Sequence, residues 1–328
     1  MIIEDYITYV RNIRRYSPRT VQIYEEVIRK YATVVFGTDD VPDDQLIEAL
    51  NPSEIRSYEI TLMDKENMTP KTVCLHLSAL SGFCRFLVKE NLIKSNPVRL
   101  VPKPKVEKRL PQFFRMDAMQ EYFNSTEIYS SRDFLDAFKQ TPHSKTGKDL
   151  YEKRLARLII SLLFSTGVRR SELMSLRVQD IDFGRKVAKV HGKGNKMREI
   201  PLIVSLCEEI LLYLDAVETL TDEERSLKSP LLVTYSGNEL YPAYVDRTVK
   251  RELGDVKGIT GRKSPHVLRH SLATELMNEE ADLNSIKEML GHSSLATTQV
   301  YTHSSFARLK NIYQTAHPRA KNGGKHGD

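Results

Sequence analysis

The segment Thr166-Gly167-Val168-Arg169-Arg170-Ser171-Glu172-Leu173 stands where a long apolar pattern ends. Residues 151–164 before it carry apolar side chains at helical spacing, which predicts a buried helix. Gly167 is suited to end that helix, and Ser171 is suited to cap the next one. This order places Arg169 at a helix start, where backbone N–H groups favour an anion. An arginine beside a helix cap is also a common surface feature, so the segment alone decides no function.

Downstream of this segment the pattern mixes strands and helices. Residues 187–202 predict a β-hairpin with the turn Gly192-Lys193-Gly194-Asn195. Apolar periodicity then predicts helices over 204–218, 242–253, 266–278 and 283–290. The polar stretch 139–148 predicts an exposed loop, and the Gly- and Lys-rich tail from Ala320 predicts a disordered end.

The first hundred residues predict a small helix bundle. Proline follows a capping residue at Ser17-Pro18, Asn51-Pro52 and Thr69-Pro70, and apolar residues at helical spacing follow each pair. A capping residue before a proline is a physical start signal for a helix. Residues 96–111 contain several prolines and lysines, which predicts a stiff, basic connector.

The net charge of +6 is unevenly distributed along the chain. Residues 1–102 carry 13 Lys/Arg and 14 Asp/Glu, a balance of −1, whereas residues 103–328 carry 36 and 29, a balance of +7. A basic excess favours binding to polyanions such as nucleic acid, although many basic proteins bind none.

Other features of the composition exclude several classes of protein. The three cysteines, Cys74, Cys84 and Cys207, are odd in number and have no paired spacing, which disfavours a disulfide framework and fits a reducing cytoplasm. The sequence contains no run of about 18 apolar residues, so it predicts no transmembrane helix. The N-terminus lacks the pattern of a secretory signal, so we expect a cytoplasmic protein.

Two further segments concentrate polar groups. In His266-Val267-Leu268-Arg269-His270, residues three apart share a helix face, so His266 and Arg269 are expected to point together. A zinc pair of His266 and His270 is the alternative, but no Glu directly follows His266 as the metalloprotease motif requires. Tyr301 follows the pair Gly291-His292 by a short interval; a helical tyrosine is more often a half-buried packing residue.

Taken together, these segments resemble the tyrosine recombinase (phage integrase) family, and in particular its Xer subgroup. The family's first arginine, hairpin lysine, His-x-x-Arg pair, Gly-His element and nucleophilic tyrosine all occur here in order. The intervals from 169 to 193, 269 to 292 and 292 to 301 also match. The resemblance implies that the catalytic residues are Arg169, Lys193, His266, Arg269, His292 and the nucleophile Tyr301. It also implies that Glu172 orients a basic group, whereas Arg170 stands where an apolar residue is more common.

The resemblance implies a fold that is mainly α with a small β-sheet. The expected domains are a helical, SAM-like core-binding domain over 1–102, a linker over 103–111, a mixed α/β catalytic domain over 112–319 and a flexible tail over 320–328. DNA contacts are expected from the helices near Thr20 and Thr72 and from 242–251, with Arg19, Lys71 and Arg247 as candidate residues.

The implied reaction is attack by tyrosine on a DNA phosphodiester, giving a 3′-phosphotyrosyl link, with no metal, ATP or other cofactor. The implied partners are a double-stranded recombination site and three more subunits, in a homotetramer or in a heterotetramer with a paralogous recombinase. An activating DNA translocase is a further expected partner, a membrane is not, and the expected role is chromosome dimer resolution.

Three other functions compete with this one. A transposon or phage integrase shares the chemistry but often carries an additional DNA-binding domain. A type IB topoisomerase also shares it and acts as a monomer without site preference. A non-catalytic, sequence-specific DNA-binding protein would use 283–303 as a helix-turn-helix, but binding alone requires no tyrosine nucleophile.

Overall fold

The computed structural model describes residues 1–107, 113–192, 197–221, 225–279 and 282–291. The chain divides into two compact units, Met1–Leu110 and Pro111–Asp328. Each unit has a hydrophobic core of its own. The first is helical and the second combines helices with a small sheet, which confirms the predicted fold class. The finer domain boundaries given above stay predictions.

Helices build the first unit. Its α-helices are α1 (Ile2–Thr8), α2 (Pro18–Phe36), α3 (Asp43–Ala49), α4 (Pro52–Ile60) and α5 (Pro70–Lys89). Short π-helical turns, Tyr9–Ile13 and Thr61–Lys65, continue α1 and α4, and a 3₁₀ turn over Pro97–Leu100 follows α5.

The three predicted start signals of this unit are confirmed. The side chain of Ser17 accepts a hydrogen bond from Thr20 N at 3.2 Å, and Thr69 accepts one from Thr72 N at 3.3 Å. Asn51 caps α4 in the same way. Each cap satisfies the backbone N–H of the third residue of the helix, which has no partner within the helix. The proline at the first helical position has no N–H that would need a partner.

Helix α5 forms the centre of the first core. Leu77, Leu80 and Phe83 are fully buried, and the Phe83 ring lies 5.2 Å from that of Tyr6. By length and composition alone α5 could cross a membrane, yet 56% of its apolar window is buried within the unit. Burial of this kind is typical of a core helix.

The second unit contains α6 (Met116–Ser125), α7 (Arg132–Gln140), α8 (Lys145–Thr166), α9 (Arg170–Ser175), α10 (Val204–Thr221), α11 (Pro242–Glu252), α12 (Pro265–Asn278) and α13 (Leu283–Leu290). The last four confirm the predicted helices. Helix α8 crosses the core and packs against α7, α10, α11 and α12. It ends at Gly167, whose φ of +62° is the left-handed conformation that glycine adopts readily.

Two local predictions are wrong. The loop predicted over 139–148 is confined to 141–144, because α7 continues to Gln140 and α8 begins at Lys145, where Ser144 accepts a hydrogen bond from Gly147 N at 2.9 Å. Ser171 does not cap α9. The capping position belongs to Arg169, whose backbone N–H donates to the Glu172 carboxylate at 2.8 Å.

The small sheet has the order β1 (Ile181–Asp182), β2 (Val187–His191) and β3 (Met197–Pro201), with antiparallel neighbours. Strands β2 and β3 confirm the predicted hairpin, and Val190 pairs with Arg198. The turn residues 193–196 lie outside the described residues. The alternation along β3 places Arg198 and Glu199 on opposite faces of the sheet.

Candidate active site

A buried carboxylate lies between two arginines in the second unit. Glu172, on α9, receives hydrogen bonds from Arg169 Nη1 at 2.6 Å and from Arg198 Nη1 and Nη2 at 3.0 and 2.7 Å. The side chain of Glu172 is 5% exposed and that of Arg198 is 9% exposed, whereas that of Arg169 is 40% exposed. Glu172 therefore holds one buried and one accessible guanidinium.

The ion pairs fix the charge of Glu172. Burial alone raises the pKa of this carboxyl, but hydrogen bonds from Arg198 and from the Arg169 backbone and side chain outweigh it and hold the pKa at about 2. The carboxylate is therefore ionised at neutral pH and orients the two guanidiniums permanently.

Arg269 is the most deeply buried of the predicted catalytic residues in the part of the chain that the structure describes. Its Nη1 donates to Gly167 O at 2.5 Å, and its Nη2 donates to Leu290 O. Burial, followed by repulsion from the Arg169 charge, lowers its pKa to about 10. At neutral pH Arg269 is still a cation.

Three arginines converge on the last turn of α13. Arg198 Nε donates to Met289 O at 2.8 Å, Arg269 to Leu290 O, and Arg169 Nη2 to Gly291 O at 2.7 Å. These successive carbonyls end a helix, where they have no partner within the helix and carry the negative end of its dipole. The guanidiniums therefore provide hydrogen bonds to the last carbonyls of α13, and the same hydrogen bonds hold the three arginine side chains in position.

The arrangement leaves a net positive site. Three guanidiniums and one carboxylate sum to +2, and the donors of each arginine exceed those used by the protein. Fixed guanidinium donors in a partly buried setting suit an anion with several oxygens, such as a phosphodiester. His266 lies in the first turn of α12, where its side chain is exposed, one turn before the buried Arg269.

Other predicted site residues lie outside the described part of the chain. They are Lys193, His292 and Tyr301, so their roles stay predictions. Among the residues that the structure does describe, no group of three or more His, Cys, Asp or Glu side chains could hold a metal ion. His270, of the zinc alternative, lies 3.3 Å from the Thr274 hydroxyl through Nδ1.

The candidate DNA-contacting residues are all exposed. Arg19 and Lys71 lie in the first turns of α2 and α5, and Arg247 lies on α11. Arg247 donates to the Tyr241 hydroxyl at 2.6 Å and stacks on its ring. Arg170, on α9, forms an ion pair with Asp246 on α11.

Sequence reasoning missed Arg198. It lies in β3, and the apolar residues of that segment predict the hairpin whether or not an arginine stands at position 198. A charged residue between the apolar positions of a strand is ordinary on a solvent face, and no local motif marks this one as buried. Only the packing of β3 beside α9 and α13 brings it to Glu172.

Comparison with known proteins identifies the family of the chain. Residues 136–308 match the phage integrase family, and residues 3–91 match its N-terminal SAM-like domain. The tyrosine recombinase XerC of Chlorobaculum parvum is 35% identical over 326 residues, which cover 97% of this chain and 94% of the relative. That of Bacillus subtilis is 30% identical and covers 96% of this chain and 95% of its own.

Among solved structures, the Tn1549 transposon integrase in complex with transposon right end DNA has a TM-score of 0.61. It is 19% identical and covers 94% of this chain and 97% of its own, a likeness in fold. The phage integrase match and the XerC relatives show that the chain is a tyrosine recombinase, an enzyme that cuts and rejoins DNA strands through a tyrosine nucleophile. The chain belongs to the phage integrase family, and its relatives along nearly the whole length place it in the Xer subgroup.

Proposed function

We propose that this recombinase attacks a DNA phosphodiester with Tyr301 and holds the reacting phosphate with Arg169 and Arg269. The observation that carries the proposal is the convergence of both arginines on the end of α13, directly before His292 in the sequence. The proposed site thus joins residues more than a hundred positions apart.

The charge of the phosphate explains the arginines. A phosphodiester is anionic and repels a nucleophile, and its pentavalent transition state gathers further negative charge on the non-bridging oxygens. Fixed guanidinium donors stabilise the transition state more than they stabilise the ground state, because the transition state carries the greater negative charge. This difference accelerates the chemical step. His292 supplies another donor. Arg169, Arg269 and His292 thus supply the donors that stabilise the charge on the non-bridging oxygens.

Two proton transfers complete the step. The Tyr301 oxygen bonds to phosphorus while the bond from phosphorus to the 5′ oxygen breaks. A phenol has a pKa near about 10, so Tyr301 needs help to lose its proton at neutral pH, and His266 accepts that proton. Lys193 donates a proton to the departing 5′ oxygen. The 3′-phosphotyrosyl link conserves the phosphoester, and attack by a 5′-hydroxyl reverses the step without ATP.

The biological role that we propose is chromosome dimer resolution in the cytoplasm. The XerC relatives that match nearly the whole chain support it. In this role four subunits act on two double-stranded sites, as a homotetramer or with a paralogous recombinase, and a DNA translocase activates them. Helix α11 and the first turns of α2 and α5 make the DNA contacts.

Covalent trapping tests the proposal. The protein is mixed with a labelled, nicked duplex that carries a chromosomal recombination site, and a denaturing gel follows without added ATP or metal. We expect a DNA-linked protein band that Tyr301→Phe abolishes and that the matched variant Tyr129→Phe retains. A band that persists in Tyr301→Phe would overturn the assignment of the nucleophile. A band formed on transposon ends but not on chromosomal sites would overturn the chromosomal role.

A further inference from the structure

Arg198 uses all three of its side-chain nitrogens on protein atoms. Nη1 and Nη2 donate to the two oxygens of Glu172, and Nε donates to Met289 O. One side chain on β3 therefore joins α9, which begins beside Arg169, to the last turn of α13, which accepts from Arg269.

The setting of Arg198 demands a guanidinium. A planar fork matches a carboxylate with two parallel hydrogen bonds and retains Nε for a third acceptor, whereas the ammonium of lysine is a point charge on a flexible chain. The fit is also close. A Cβ added at Gly291 would lie 3.1–3.3 Å from three atoms of the guanidinium, and Gly291 has a φ of +64°.

The loss of Arg198 would release both neighbours. Glu172 would then depend on the accessible Arg169 alone, so the buried carboxylate would draw that guanidinium toward itself and away from a ligand. The last turn of α13 would keep the hydrogen bonds from Arg169 and Arg269 but lose the one to Met289 O. Both changes would displace the groups assigned to the phosphate.

We propose that Arg198 is a positioning residue for strand cleavage: it fixes the Glu172 carboxylate and the end of α13 so that Arg169 and Arg269 meet the phosphate in reactive geometry. The inference rests on the proposed function, since it concerns the same site. Arg198 donates from all three of its side-chain nitrogens to protein atoms, so it acts through Glu172 and the end of α13. A small misplacement of such groups is enough to slow a reaction substantially.

The test separates binding from chemistry. Duplex affinity and the single-turnover rate of adduct formation are measured for wild type, Arg198→Lys, Glu172→Gln and the double variant Arg198→Met/Glu172→Gln. The matched control is Arg185→Lys, because Arg185 makes a bidentate pair with Glu199 on the outer face of the same strand. We expect Arg198→Lys to bind DNA within about 2-fold of wild type and to cleave about 10- to 100-fold more slowly. Arg185→Lys should cleave at the wild-type rate.

The double variant keeps the test decisive if Arg198→Lys folds poorly, because it removes the buried carboxylate together with its partner. Most of the effect of Arg198 passes through Glu172, and its single hydrogen bond to Met289 O adds a smaller part, so the double variant will cleave no more than about 3-fold more slowly than Glu172→Gln. Multiplied losses overturn the inference, as does wild-type cleavage by Arg198→Lys. Either result leaves the proposed function standing while Tyr301→Phe forms no adduct. Failure of the wild-type protein to form any adduct overturns both proposals.

Discussion

Arg269 donates a hydrogen bond from Nη1 to the backbone carbonyl of Gly167 at 2.5 Å. The carbonyl belongs to the residue that ends α8, and Arg269 lies 102 positions later on α12. The contact therefore ties the orientation of a candidate catalytic arginine to the point where the core helix stops. The same glycine precedes Arg169 by two residues, so one helix end positions both arginines.

Gly167→Ala should destabilise the protein and slow cleavage. An added Cβ would lie 2.6 Å from Leu290 Cδ2 and 3.0 Å from Leu272 Cδ2, at a φ of +62°. Backbone strain and overpacking together predict a loss of about 2–5 kcal/mol, measured by urea unfolding. The control is Gly237→Ala, with a similar φ of +77° and nothing within 4 Å of an added Cβ, for which strain alone predicts about 1–2 kcal/mol. Equal losses in the two variants would contradict the packing argument.

The predictable part of the fold depends on local signals. Ser17, Asn51 and Thr69 satisfy the first backbone N–H groups of the next helix within three residues, so their effect is visible in the sequence. The start of α8 was not predicted, because Ser144 caps it without a following proline and lies in a polar stretch that is also typical of a loop.

The candidate site also contains residues that the sequence predicts and residues that only tertiary packing brings into place. Arg169 and Arg269 have recognisable motifs beside them, and a resemblance in spacing was sufficient to single them out. Arg198 has no motif, and its burial depends on α9 and α13 packing against β3. The hydrogen bonds from three arginines to Met289, Leu290 and Gly291 join four separate segments. No periodicity in one segment can report such a contact.

The ion pairs of Glu172 predict a loss of stability in acid. Its pKa is about 2, below the ordinary glutamate value, so the unfolded chain takes up a proton first as the pH falls. The contribution to stability is complete above about pH 4.3, amounts to roughly 3 kcal/mol, and is lost as the pH falls toward about 2. Urea unfolding of wild type and Glu172→Gln across this range should show a stability gap that narrows in acid. A constant gap would indicate that Glu172 is not the titrating group.

A second pH dependence is expected in the helical unit. His76 is buried, with Nδ1 2.7 Å from the Tyr58 hydroxyl. Burial first, and the nearby Lys30 charge second, lower its pKa, against an opposite effect of Glu66. The unfolded chain therefore binds the proton more readily, and stability falls as the pH drops below about 6.5.

Urea midpoints between about pH 8 and pH 5, a range that spans the ordinary histidine pKa, measure the contribution of His76. His76→Asn removes the titrating ring and should flatten the slope over this range. The exposed His143 provides the control, since His143→Asn should keep the wild-type slope. If both variants kept that slope, the pH dependence would have to come from another group.

Arg247→Gln should weaken DNA binding through the loss of a phosphate contact. Arg247 is exposed on α11, and its contact with Tyr241 leaves donors free for a phosphate. Each lost contact lowers the slope of log affinity against log salt by about 1. Arg177→Gln is the control, because it removes the same charge from a half-exposed arginine that pairs with Glu239. Fluorescence anisotropy on one duplex across a salt series measures both slopes. A reduced slope in Arg247→Gln alone places a phosphate beside α11, whereas equal changes in the two variants would reflect net charge and contradict a local contact.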